Sequence, residues 1–458
     1  MTSGPFSTVG RSTLASSTPP PSVRGTAPST PSVPAMSLRT EVPQIDIGAP
    51  LPAEPAVGGE TLVRLGGRPL GFVRLPEGAS PACVARLVAD EMRTHIERAF
   101  ADGDLTAAPP LTPLGLTAGS ATWSLERELA ARSGSPIAVV VCTRNRPALL
   151  ARALFSLSAV DHHDLEIVVV DNDPSDAATK RVVDAAMARS THPVQYVAEP
   201  RAGLSWARNA GIAATDRDLV AFTDDDVVVD PNWAAEIVRV FDTCPSAGCV
   251  TGQILPFEFS SDASRWREAY AGATKFGFER RVFDRTTGDS SKLYPFNTGE
   301  CGSGMNMAFR RAALDAIGGF DLALGAGTPS RGGEDLAAFF GTLQAGLQLV
   351  YEPSALVSHA HRHTYSDLEL QMRGWGSALT AYLTQVVWRH PTLLIPVLRR
   401  ARQGITTALM PSSGKNGRKP ADYPASLTRA ELVAMPTGPL RYAVGRVRAR
   451  RLARKGPT

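Results

Sequence analysis

Ile137-Ala138-Val139-Val140-Val141-Cys142 runs directly into Thr143-Arg144-Asn145-Arg146-Pro147. An apolar run without polar alternation is the mark of a strand covered on both faces, and the abrupt polar turn marks its carboxyl end. The same pattern recurs downstream. Residues 165–170 end in Asp171-Asn172-Asp173-Pro174, residues 194–197 lead to Glu199-Pro200-Arg201-Ala202-Gly203, and residues 219–222 end in Thr223-Asp224-Asp225-Asp226. Helix-like stretches lie between them at 147–158, 175–189 and 204–214. Strands alternating with helices predict an α/β fold with a mainly parallel sheet, and such sheets bind ligands beyond the carboxyl ends of their strands.

Those ends carry side chains suited to a nucleotide. Thr143, Arg144, Asn145, Arg201, Gly203 and Arg208 fall there, and the arginines are suited to bidentate contact with phosphate oxygens. Asp171 is placed to accept from a nucleobase or ribose. Asn172, Ser175 and Asp176 read as loop caps. The three adjacent aspartates raise one another's cost of ionisation, which a hard cation such as Mn²⁺ or Mg²⁺ relieves. Asp224 and Asp226, one residue apart, share a side if the strand persists. A solvated acidic turn is the plainer alternative. The absence of a GxGxxG or GxxxxGK[ST] loop after the first strand argues against a nicotinamide dehydrogenase and a P-loop ATPase.

The chain has 458 residues, 43% hydrophobic and 20% charged, with a net charge of +4. These values fit a globular protein of more than one part and exclude nothing more specific. Five cysteines without a CxxC pair read as reduced thiols. No signal peptide is evident at the N-terminus, and no apolar run is long enough to span a membrane, so a cytoplasmic protein is expected. Residues 1–40 read as a disordered Pro/Ser/Thr-rich tail and 55–105 as a small α+β hairpin-helix domain. A linker is expected over 106–134, the main domain over 135–365, a helical extension over 366–412 and a basic tail over 413–458. From Arg441 onward the basic residues are unrelieved by any acid. The apolar C-terminal helices read first as packing against the main domain. The functional alternative is peripheral contact with the inner face of the plasma membrane through their Arg-rich ends, and nucleic acid would call for aromatic interleaving.

The segments Val140–Arg146, Val168–Asn172, Gly203-Leu204-Ser205-Trp206-Ala207-Arg208-Asn209 and Phe222–Asp226 together resemble glycosyltransferase family 2. Gly302-Ser303-Gly304-Met305-Asn306, Gly318-Gly319-Phe320-Asp321 and Arg331-Gly332-Gly333-Glu334-Asp335-Leu336 extend the likeness. The resemblance covers roughly residues 136–363. It implies a GT-A fold, a nucleotide-diphosphate sugar donor, a divalent metal and inversion at the anomeric carbon. It further implies that Asp171 contacts the base, that Asp224 and Asp225 lie by the donor, and that Asp224 and Asp226 serve the metal. Asp335 then becomes the general base, with Glu334 positioning the acceptor. Chemistry supports that role, since an inverting transfer needs a carboxylate to take the acceptor hydroxyl's proton.

His359, His361 and His363 alternate along an extended run, which puts them on one face. Zinc is one reading. The resemblance instead assigns His359 to the metal or diphosphate, with His361 second and His363 structural. Two departures stand out: Asp173-Pro174 follows the acidic pair where the family has Gly or Ser, and no QxxRW motif is present. The acceptor is a glycan, a lipid-linked molecule or a small molecule. The alternative is a non-catalytic nucleotide-sugar-binding scaffold. A nucleotidyltransferase would need a basic triphosphate loop, which is absent.

Overall fold

The computed structural model describes Met1 and residues 42–53, 58–116, 121–257, 261–287, 293–360, 364–409, 416–417 and 419–455. Most of the Pro/Ser/Thr-rich tail, together with His361 and His363, therefore lies outside the described residues.

Two sheets form. The small one contains β1 (Gln44–Asp46), β2 (Gly59–Leu65) and β3 (Arg68–Leu75), with β1 parallel and β3 antiparallel to β2. Gly66 and Gly67 both take positive φ at the β2–β3 turn, a conformation that glycine adopts without strain. The following helix, Pro81–Glu91, starts as the sequence predicts, with Pro81 in its first turn and the Ser80 hydroxyl accepting from Cys83 N–H. Helix Thr122–Ser133 occupies the second half of the stretch read as linker. Trp123 drives this correction: it is buried in the small sheet's core, and its indole N–H donates to Ala99 O at 3.2 Å.

The large sheet has nine strands: β4 (Ile137–Thr143), β5 (Leu165–Asn172), β6 (Val194–Glu199), β7 (Leu219–Asp224), β8 (Val227–Val229), β9 (Ala247–Pro256), β10 (Arg281–Phe283), β11 (Asn306–Arg310) and β12 (Gln348–His359). Their order is β10-β12-β9-β11-β7-β4-β5-β6, and β8 pairs with β12. β4, β5, β6 and β7 are parallel, as expected, and so are β9 and β12. β11 runs antiparallel between β7 and β9 and joins the two parallel groups.

All seven residues of β4 are buried. Val139 and Val141 pack to one side with helix Trp233–Thr243, whereas Val140 and Cys142 pack to the other with Phe309 and Phe339. This two-sided burial is what the unbroken apolar run predicted.

At the C-terminal end, helix Tyr365–Arg389 carries Ala425–Ala434 and Gly438–Lys455 on its surface. The stretch read as a basic tail is thus largely helical. Leu427, Ala430 and Tyr442 are buried there, and the Tyr442 hydroxyl donates to Asp321 at 3.0 Å. No described helix is long and apolar enough to cross a membrane.

Candidate active site

The carboxyl ends of β4, β5, β6 and β7 converge, and β12 delivers His359 to the same edge through its pairing with β8. The aspartate run sits in the tight link from β7 to β8, so its three side chains have different neighbours. Asp225 is buried, takes a hydrogen bond from Thr143 Oγ1 at 2.7 Å and another from Arg146 at 3.1 Å. Both were read as parts of the donor site; here Asp225 and Thr143 fasten the turn to the end of β4. Arg146 also reaches Asp226 at 3.2 Å, and Asp226 Oδ1 lies 3.5 Å from His359 Nε2. Asp224 faces Arg208 at 3.7 Å.

Arg208 was read as a phosphate contact. It lies on helix Leu204–Ala213, only 2% exposed, with its guanidinium on Glu334 Oε1 at 2.9 Å and Gly304 O at 2.9 Å. A group so placed holds the carboxylates around it. Asp335 completes the cluster. Its Oδ2 accepts from Gly304 N–H at 3.0 Å and its Oδ1 from Leu336 N–H at 2.8 Å. The second bond satisfies a free N–H of the helix's first turn, where an acid is favoured. Gly333 and Arg331, at φ 89° and 66°, turn the chain sharply into helix Glu334–Gln344.

Electrostatics follow from this packing. Burial pushes Asp224 up to about 7, opposed by Arg208 and reinforced by Asp226 and Asp225. Burial and the neighbouring Asp335 likewise push Glu334 up to about 7. An added cation at the acidic turn would reverse the first shift, which is the chemical argument for a metal here. Asp226 and His359 offer the oxygen and nitrogen donors that Mn²⁺ accepts, with Asp224 on the adjoining side. Among the described residues, however, no three His, Cys, Asp or Glu side chains converge closely enough to form a metal cage by themselves.

The remaining expected residues divide. Asp171 is fully buried, receives the Tyr196 hydroxyl at 3.0 Å and leaves Oδ1 without a hydrogen-bond partner. Burial raises its pKa. Arg144 is half exposed and ion-paired with Asp173, while Asn145 Oδ1 accepts from the Ser175 hydroxyl at 2.9 Å. Arg201 is held by Glu199 through two guanidinium bonds of 2.6 and 2.7 Å and lies 4.0 Å over the Trp206 ring. Asn172 donates to Arg201 O and accepts from Gly203 N–H, the structural role its sequence context suggested. Sequence reading gave no role to Arg146 or Tyr196. Arg146 had a signal, as the second arginine of the strand-end turn; Tyr196, inside an apolar strand, had none.

A cavity of about 450 Å³ between the two sheets is lined by Arg68, Glu236, Arg239 and Glu352, and none of the expected site residues borders it.

A mainly parallel sheet whose carboxyl edge gathers carboxylates, an imidazole and an open buried acceptor defines an α/β protein suited to a nucleotide-linked substrate. Residues 138–318 match the model described as Glycosyl transferase family 2, a family whose enzymes use nucleotide-sugar donors. It is 26% identical over 347 residues to the pre-mycofactocin glycosyltransferase of Mycobacterium tuberculosis, covering 74% of this chain and 63% of that protein. It is 28% identical over 227 residues to the succinoglycan biosynthesis protein ExoM of Rhizobium meliloti, covering 48% and 65%. The matched region thus spans less than two thirds of either relative. Among solved structures, the mannosyltransferase PcManGT from Pyrobaculum calidifontis, in complex with GDP-Man and Mn²⁺, is similar with a TM-score of 0.39 and 16% identity, covering 73% of this chain and 84% of that one.

Proposed function

We propose that the protein is a metal-dependent, inverting glycosyltransferase that moves a sugar from a nucleotide-diphosphate sugar to an acceptor hydroxyl. The observation that carries the reading is the pairing of Glu334 and Asp224 with one buried guanidinium, Arg208, and the link from Arg208 to Asp335 through Gly304, whose carbonyl accepts from the one and whose N–H donates to the other. It sets a candidate base and the acidic turn side by side at the sheet edge where ligands bind.

Asp335, held by two N–H donors, takes the proton of the acceptor hydroxyl. The freed oxygen bonds to the anomeric carbon from the face opposite the diphosphate. The carbon–oxygen bond to the diphosphate breaks with its electron pair, releasing a nucleoside diphosphate and inverting the centre. Asp226 and His359, with Asp224, would hold Mn²⁺ or Mg²⁺, which supplies positive charge against the departing diphosphate. The unpartnered Oδ1 of Asp171, once the side chains covering it move aside, suits a nucleobase N–H, and Arg144, once released from Asp173, suits the phosphates. Glu334 positions Arg208 and the start of its helix.

Calorimetry against UDP-, GDP- and dTDP-sugars, with and without Mn²⁺, tests the donor site. Binding of one donor that requires Mn²⁺ supports the reading. Equal silence across the panel, with and without metal, removes it.

A further inference from the structure

We propose that the two C-terminal helices Leu394–Leu409 and Gly438–Lys455 form a docking face for an anionic lipid surface. The first observation is an apolar stripe without cover. On helix Gly438–Lys455, Tyr442 is buried and Gly445 lies so close to Ala323 that a Cβ would meet its carbonyl at 2.7 Å, so this face is turned inward. Leu440, Val444 and Val447, at the i, i+4, i+7 spacing of one helix face, lie on the opposite side and are 71%, 49% and 49% exposed. Ile395 and Leu398 are similarly exposed on helix Leu394–Leu409, whereas Val397 turns inward. Trp388, near the end of helix Tyr365–Arg389 and just before helix Leu394–Leu409, is exposed as well, and the Arg446 guanidinium of helix Gly438–Lys455 lies 4.2 Å over its ring.

The second observation is charge. No acidic residue occurs between Glu369 and Asp422, and none after Glu431. The same stretches hold Arg399, Arg400 and Arg402, and later Arg448, Arg450 and Arg454. In a chain whose net charge is only +4, this concentrates positive charge around the apolar stripe. Leucine, isoleucine and valine add nothing to contact with phosphodiester backbones, whereas they gain by entering an acyl boundary beside lipid phosphates. With no described helix able to cross a bilayer, the face would lie on the surface. This inference stands apart from the transfer reading, because vesicles contain neither donor nor acceptor.

The test is co-sedimentation of the full chain with vesicles of phosphatidylcholine alone, and of phosphatidylcholine containing phosphatidylglycerol, at low and high salt. The expected result is binding to the anionic vesicles roughly tenfold or more above the neutral ones at low salt. Arg450→Glu with Arg454→Glu should remove most of that difference. The triple change Leu440→Ser, Val444→Ser, Val447→Ser should weaken binding about tenfold or more at either salt. Melting curves of both variants are read alongside; if the triple variant melts early, the charge-reversed pair decides. Failure to bind anionic vesicles overturns the proposal. So does binding that survives the serine triple and is displaced by an RNA oligonucleotide, which would assign the face to nucleic acid.

Discussion

Asp335 and Gly304 are coupled at the scale of single atoms. A Cβ on Gly304 would stand 3.0 Å from Arg208 Nη2 and 3.1 Å from the Asp335 Cβ, so even a methyl group displaces the carboxylate or the guanidinium. Gly304→Ala is expected to lower kcat by about tenfold or more, the usual consequence of a small misplacement of a reacting group, with donor affinity little changed. Asp335→Asn should keep donor binding, read by calorimetry, and lose transfer by about a hundredfold or more. Near-normal turnover in that variant would sink the base assignment. His162 is a separate residue-scale case. It is buried before β5, accepts Asp164 N–H on Nδ1 at 3.3 Å, and burial holds its pKa down to about 4. The unfolded chain, with an ordinary imidazole near pH 6.5, takes up this proton first. Stability from this group is thus complete above about pH 6.5 and lost as pH falls toward about 4. His162→Gln should flatten the melting midpoint against pH across that interval; an unchanged slope would show that another group titrates.

At the scale of elements, what the sequence made legible was what repeats. β4, β5 and β7 could be read because each is a largely apolar run ending in a polar turn, and burial on both faces leaves that imprint. β6, a partly exposed edge strand, was legible only from its place in the alternation. β11 escaped the same reading. Asn306 opens it and Arg310 closes it, and the Asn306 amide is used inside the sheet, donating to Gln253 O and Ala355 O. A polar residue satisfied by partners far away in sequence leaves no local pattern. The same limit applied to Arg208: its charge suggested phosphate, whereas its role came from Glu334, distant in the chain. The buried network of Arg239 with Glu236 and Glu352, which ties helix Trp233–Thr243 to β12, was equally hidden. Arg239→Met leaves two buried carboxylates without their shared cation and should cost about 3–5 kcal/mol, measured by denaturant unfolding. A cost under about 1 kcal/mol would mean that water already compensates them.

At the scale of the whole molecule, the small sheet is anchored to the large one by a dry contact and an ion pair. Leu62 of β2 packs with Leu255 of β9 and Leu356 of β12, flanked by Phe72 and Phe278, and Arg64 meets Asp230 at 2.6 Å. Each leucine is almost wholly buried, so the contact is made from side chains neither sheet could leave in water. Two units joined in this way should unfold together, since separating them exposes the apolar seam before either core is lost. Leu62→Ala removes the central side chain and should cost about 2–5 kcal/mol, the range for truncating a buried leucine. Scanning calorimetry distinguishes the alternatives. One transition that moves as a whole to lower temperature means that the seam makes the two sheets a single cooperative unit. Two transitions in the parent chain, with only the first moving in the variant, would mean that the small sheet folds independently and merely rests on its neighbour.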